Sequence, residues 1–180
     1  MHVIYRYEEQ VILPRSYSSR ATQGYWGWVS GHVPGELVPV SRRMNAIEYV
    51  DLLDQVLLPS ISAIYGDANG NLQEVINIIE DNSSVPTADI VKQWYQEQPF
   101  LNRLPLPARS PELNIIENVW AEMVRTWRPS MARTHEELMF RVDKAWGELR
   151  NRPDYLKNST DSMQKRLENI IQVDGANINY

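Results

Sequence analysis

The apolar residues of this chain change their spacing part-way along, and that change limits the folds open to it. In the first half they gather in short runs rich in Val, Ile and aromatic residues: His2 to Leu13, Tyr25-Trp-Gly-Trp-Val-Ser30, Glu36-Leu-Val-Pro-Val40 and Glu74-Val-Ile-Asn-Ile-Ile-Glu80. Such runs favour extended structure. Pro14 and the SYSSRATQG that follows read as a loop, and turn-like Gly31 to Gly35 makes the second and third runs a hairpin. Pro39 cannot donate to a ladder, which puts the third run at a sheet edge. Between these runs the spacing is helical. Asn45 caps a helix with Ile47, Val50, Leu53, Val56 and Leu57 at helical intervals, ending at Pro59. Gly66-Asp-Ala-Asn-Gly70 is a turn, and Thr87 to Gln96 is a helix with Ile90, Val91 and Trp94 on one face. Pro99 to Pro111 alternates prolines with apolar residues and predicts an extended connector. From Asn114 a helix runs through Ile116, Val119, Trp120, Met123 and Trp127 to Pro129, and two more cover about Thr134 to Leu149 and Asp161 to Gln172. The expected class is α/β, a mixed sheet flanked by helices in front and helices alone behind.

At 180 residues and 20.9 kDa the chain fits one compact domain spanning 1–180. No cysteine occurs, which excludes disulfide frameworks, thiolate metal sites and cysteine nucleophiles. Eighteen Lys and Arg against 23 Asp and Glu give a formal charge of −5, so any nucleic-acid contact must be a local patch. The first fifteen residues carry Arg6, Glu8 and Glu9 within their apolar stretch, which argues against a secretory signal. No run reaches the roughly 18 apolar residues that a membrane span needs. The expectation is an intracellular protein with no membrane partner. His2, His32 and His135 lack metal-ligand spacing, and the sequons at Asn82 and Asn158 carry no meaning without a secretory signal.

The chemistry that remains is that of carboxylates. Ligand sites in open α/β sheets form at the carboxyl ends of strands, where Asp81 follows the Glu74–Glu80 run. Glu117 falls in the first turn of the helix that starts near Asn114, with 35 residues between it and Asp81. Two such acids could share divalent metal, although paired Mg²⁺ ions need several hard oxygen ligands, with one carboxylate bridging both. Asp-Asn after a strand is equally ordinary turn chemistry, and Glu in a first helical turn complements the helix dipole. Trp26 and Trp28 could stack bases or fill a core, and alternating aromatics on a strand favour the core. Arg103, Arg109, Arg125, Arg128 and Arg133 cluster around the Glu117 helix, as a phosphate-binding patch or as a solvated face.

Many of these positions recur together. Tyr25-Trp-Gly-Trp-Val-Ser30, Gly35-Glu-Leu-Val-Pro39, Met44-Asn-Ala46, Tyr49, Leu57-Leu-Pro59, Asp81-Asn82, Ser110-Pro-Glu-Leu-Asn114, Ile116-Glu-Asn118, Trp120, Ser162-Met163 and Gly175 to Tyr180 stand in this order. Over about residues 24 to 180 the chain thereby resembles the catalytic domain of mariner-superfamily DDE transposases. SPELNIIENVW is the most specific piece, similar to the family's S-P-D-L-N-P-I-E-N-x-W. The resemblance implies an RNase H-like fold in which three acids hold two Mg²⁺ or Mn²⁺ ions to cut and join transposon DNA. It makes Asp81 the second acid and Glu117 the third, both as metal ligands.

The departures from the family pattern set the functional expectation. No Asp precedes Asp51, so the first acid of the family's D-E motif has no counterpart. Val3 to Glu9 looks like the segment that follows that motif, which leaves Glu8 and Glu9 as poor substitutes. Pro86 stands where D-N-A-P-x-H has its His, and Ser-Pro-Glu112 replaces S-P-D. The family's helix-turn-helix domains have no counterpart either. The missing strand belongs mid-sheet, so His2 to Tyr7 is expected to take its place unless a partner chain donates one. The resulting expectation is a shortened, transposase-derived pseudoenzyme in the nucleus that binds DNA, a nuclear protein or a second copy of itself. An active metal-dependent endonuclease and a protein-interaction module without DNA are the alternatives.

Overall fold

The computed structural model describes residues 2–12, 22–80, 84–107, 110, 113–125 and 134–172, with 2–12 and 22 as backbone. Five strands form one sheet: β1 (His2–Ile12), β2 (Thr22–Ser30), β3 (Pro34–Val40), β4 (Ile76–Glu80) and β5 (Leu101–Leu104), in the order β3-β2-β1-β4-β5. β1 is therefore central. It runs antiparallel to β2, from Ile4 opposite Ser30 to Ile12 opposite Thr22, and parallel to β4, from His2 beside Ile76 to Arg6 beside Glu80. The expectation that His2 to Tyr7 fills the mid-sheet position holds. β3 is the edge, as Pro39 requires, and pairs with β2 around a bulge between Gly27 and Val29. β5 lies inside the stretch expected to be an extended connector and closes the other edge parallel to β4.

Alternation along β2 divides the core into two layers. Trp26 and Trp28, both fully buried, face one layer with Ile76 and Ile78 of β4. Over them lie α1 (Ala46–Leu52), a π-helical turn (Leu53–Leu57), α2 (Leu58–Tyr65) and α3 (Asp89–Gln96). Tyr25 and Val29 face the other layer, built from α4 (Ile115–Arg125), α5 (His135–Leu149) and α6 (Pro153–Asp161). α7 (Met163–Gln172) follows α6. The tryptophans are thus core residues. Gly35 marks where strand and layers close up, because a Cβ there would stand 1.9 Å from the Trp28 ring. Trp146 of α5 donates its Nε1 proton to the Gly35 carbonyl at 3.0 Å.

Several expectations need correction. Pro59 does not end the first helix: it follows a π turn, and the helix runs on through it to Tyr65. The π turn just before it, closed by Leu58 N–H on Leu53 O, widens the helix where the ring would otherwise crowd the preceding carbonyls. Ile47 and Ile90, expected on the apolar faces of their helices, are 63 % and 44 % exposed, and Tyr49 and Tyr95 are buried instead. α6 escapes a periodicity reading because Tyr155, Leu156 and Pro153 are its only apolar residues. Of the loop expected from Pro14 to Gly24, Thr22–Gly24 belong to β2, which is extended because they pair with Gln10–Ile12; its remainder, Trp127 and the Gly175–Tyr180 tail lie outside the described residues.

Candidate functional site

β4 ends at Glu80, which is 2 % exposed. Its Oε1 accepts a hydrogen bond from Tyr49 Oη of α1 at 3.0 Å and a second from Tyr95 Oη of α3. Arg103 Nε of β5 stands 2.8 Å from Oε2 as an ion partner, and the Arg103 guanidinium lies 5.9 Å from the Tyr95 ring centroid. A buried carboxylate requires such partners. Glu80 is thus fixed into the layer of α1 and α3, and Arg103 is engaged with it. Sequence reading missed Glu80 because a strand pattern assigns a face without naming what lies there. The available signal was an acid closing an otherwise apolar run.

Glu117 lies, as expected, in the first turn of α4, where the helix dipole favours an acid. The turn is built by Leu113 N–H on Ser110 O and Glu117 N–H on Asn114 O, both at 3.1 Å. Ile115, Ile116, Val119, Trp120 and Met123 press the rest of the helix onto the sheet. Ile79 of β4 belongs to this same apolar cluster, on the face of the sheet that α4 covers. Glu80 faces the opposite layer, and the fold keeps its carboxylate apart from Glu117. Asn114 is buried, and its Oδ1 has no hydrogen-bond partner among the described residues.

Asp81 lies outside the described residues, as do Arg109, Arg128 and Arg133. Among the described residues no group of three or more His, Cys, Asp or Glu could hold a metal ion. Glu117 and the orphaned Asn114 oxygen are fewer hard donors than a pair of divalent ions requires. On that donor set the described residues do not fit two ions. Arg125 is exposed and forks onto Glu122, with Nε–Oε2 at 2.8 Å and Nη2–Oε1 at 3.0 Å. Arg152 reaches the same carboxylate at 2.7 Å. Hydrogen bonds from Arg125 and then Arg152 hold the Glu122 carboxyl down at about 2. No helix of the described residues is long and apolar enough to cross a membrane.

The family described as DDE superfamily endonuclease matches residues 13–139. The transposase of transposable element Tc3 from Caenorhabditis elegans is 28 % identical over 180 residues, covering 96 % of this chain and 50 % of that protein. The chain thus spans about half the length of the curated relatives it matches. Among solved structures, the catalytic domain of Mos1 mariner transposase superposes with a TM-score of 0.82 at 15 % identity, over 98 % of this chain and 84 % of that one. A Mos1 paired-end complex with left transposon end gives 0.82 at 14 % identity, over 98 % and 56 %. The Mos1 catalytic domain has also been solved with Mg and with Mn. The likeness to these structures carries the RNase H-like fold with its C-terminal helices.

Proposed function

This chain belongs to the DDE superfamily endonuclease family, and from that premise we propose that it is a transposable-element-derived domain that binds DNA without cutting it. One observation carries the reading. The strand between β2 and β4, where the family resemblance puts the first of three acids, is His2–Ile12 and contains no Asp. Arg6 holds the register position beside Glu80, and Glu8 and Glu9 are the only acids of the strand. Two divalent ions set about 3.5–4 Å apart to clamp the attacking and leaving oxygens need a bridging carboxylate, for which this strand offers only Glu8 and Glu9. Asp81 and Glu117 are read as the remaining second and third acids, and the nucleus as the compartment. Mos1 structures hold Mg or Mn, and any metal bound here is proposed to be of the same kind.

The test is Mg²⁺ and Mn²⁺ titration calorimetry of the chain, Asp81→Ala and Glu117→Ala, alongside plasmid nicking and DNA binding across a salt series. The expected result is no nicking, no metal binding that both substitutions abolish, and DNA binding that weakens as salt rises. Mn²⁺-dependent nicking that Asp81→Ala and Glu8→Gln each abolish would overturn the reading in favour of an active endonuclease. Absence of DNA binding at low salt would overturn it in favour of a protein partner, which the charge of −5 suits.

A further inference from the structure

Arg166 of α7 is 7 % exposed. Its Nε donates to Ser162 Oγ at 3.0 Å. With the Asn118 amide turned so that each donor meets an acceptor, both terminal nitrogens donate to Asn118 Oδ1, at 2.9 and 2.8 Å. The backbone carbonyl of Asn118 accepts from Tyr155 Oη of α6 at 3.0 Å. The two C-terminal helices therefore hold the residue directly after Glu117, α7 by its side chain and α6 by its main chain. A guanidinium withdrawn from water is costly unless its donors are satisfied, and an apolar side chain of similar volume would pack there without that cost. What the arginine adds is a planar fork of fixed direction, which a lysine cannot supply.

We infer that Arg166 is a positioning residue: through the Asn118 amide it sets where the first turn of α4, and with it the Glu117 carboxylate, stands over the sheet. The significance of that position rests on the reading of Glu117 as the third acid, but the geometry does not. The experiment therefore reads geometry alone, so an inactive chain cannot conceal the effect and a metal titration cannot substitute for it.

Amide hydrogen exchange is measured on the whole chain for the wild type, Arg166→Met, Arg166→Lys and Asn118→Asp, with exposed Lys165→Ala as control. In Arg166→Met and Arg166→Lys the amides of Glu117 to Ala121 exchange at least about tenfold faster, while those of β4 and α5 stay within about twofold. Asn118→Asp, which still accepts the fork, keeps wild-type protection or exceeds it, and Lys165→Ala changes nothing. Should Arg166→Met not fold, Asn118→Leu removes the same link with the arginine in place and carries the same expectation. Equal acceleration throughout the sheet and helices, or unchanged rates in α4, would overturn the inference.

Discussion

Glu80 is an acid where the strand pattern asks for an apolar residue, and three side chains from three elements converge on it. Glu80→Gln keeps the shape and removes the charge that faces Arg103 inside the sheet. Because the Arg103 side chain retains 22 % of its exposure, part of the loss is recovered by water. The expected cost is about 2 kcal/mol, read as a lower urea midpoint at unchanged slope. Legibility at this scale is uneven. Asp81 and Glu117 can be picked out because a strand end and a helix start are recognisable positions. Glu80, Asn114 and Arg166 cannot, because their significance lies in partners 31, 15 and 48 residues away or in a missing one, and spacing carries no information about such contacts. Arg103 and Arg125 read alike as cations near Glu117, yet one is an internal strand residue and the other an exposed helix end.

At the scale of elements, α4 is joined to α6 through Glu122 and Arg152, and that link is sensitive to acid. The Glu122 carboxyl, held at about 2, lies below its ordinary value of 4.5, so its contribution is complete above the ordinary value and is lost as pH falls through about 2. The Arg125 and Arg152 side chains are 72 % and 45 % exposed, and screening limits the effect to on the order of 1 kcal/mol. Thermal melts from pH 5 to pH 2 should therefore fall less steeply in Glu122→Gln than in the wild type. α5 offers a second check. Thr134 Oγ1 accepts from Glu137 N–H at 3.2 Å and Glu137 answers on Thr134 N–H, a capping box visible in the sequence as Thr-His-Glu-Glu. Thr134→Ala should cost about 1 kcal/mol by denaturant titration. Helices with a clear apolar stripe, such as α4 and α5, are readable from sequence. α6 is not, since it is held by Tyr155, Arg152 and buried Leu156 rather than by a stripe.

For the whole molecule, the central strand decides whether there is a sheet at all. Ile4 stands between Ser30 on one side and Ile78 on the other, so its backbone sits between two ladders. Ile4→Pro removes a donor and a free φ there, and should cost about 3 kcal/mol or more, seen as loss of the cooperative melt. The same strand has a consequence for biogenesis. β1 and β2 can zip together as soon as both are outside the ribosome, but the parallel edge of β1 has to wait for Ile76–Glu80. At bacterial to eukaryotic elongation rates of roughly 5–20 residues per second, that is an interval of several seconds. During it a nascent strand offers an open ladder to any neighbouring chain, and ribosomes spaced closely on one message would bring such neighbours into reach.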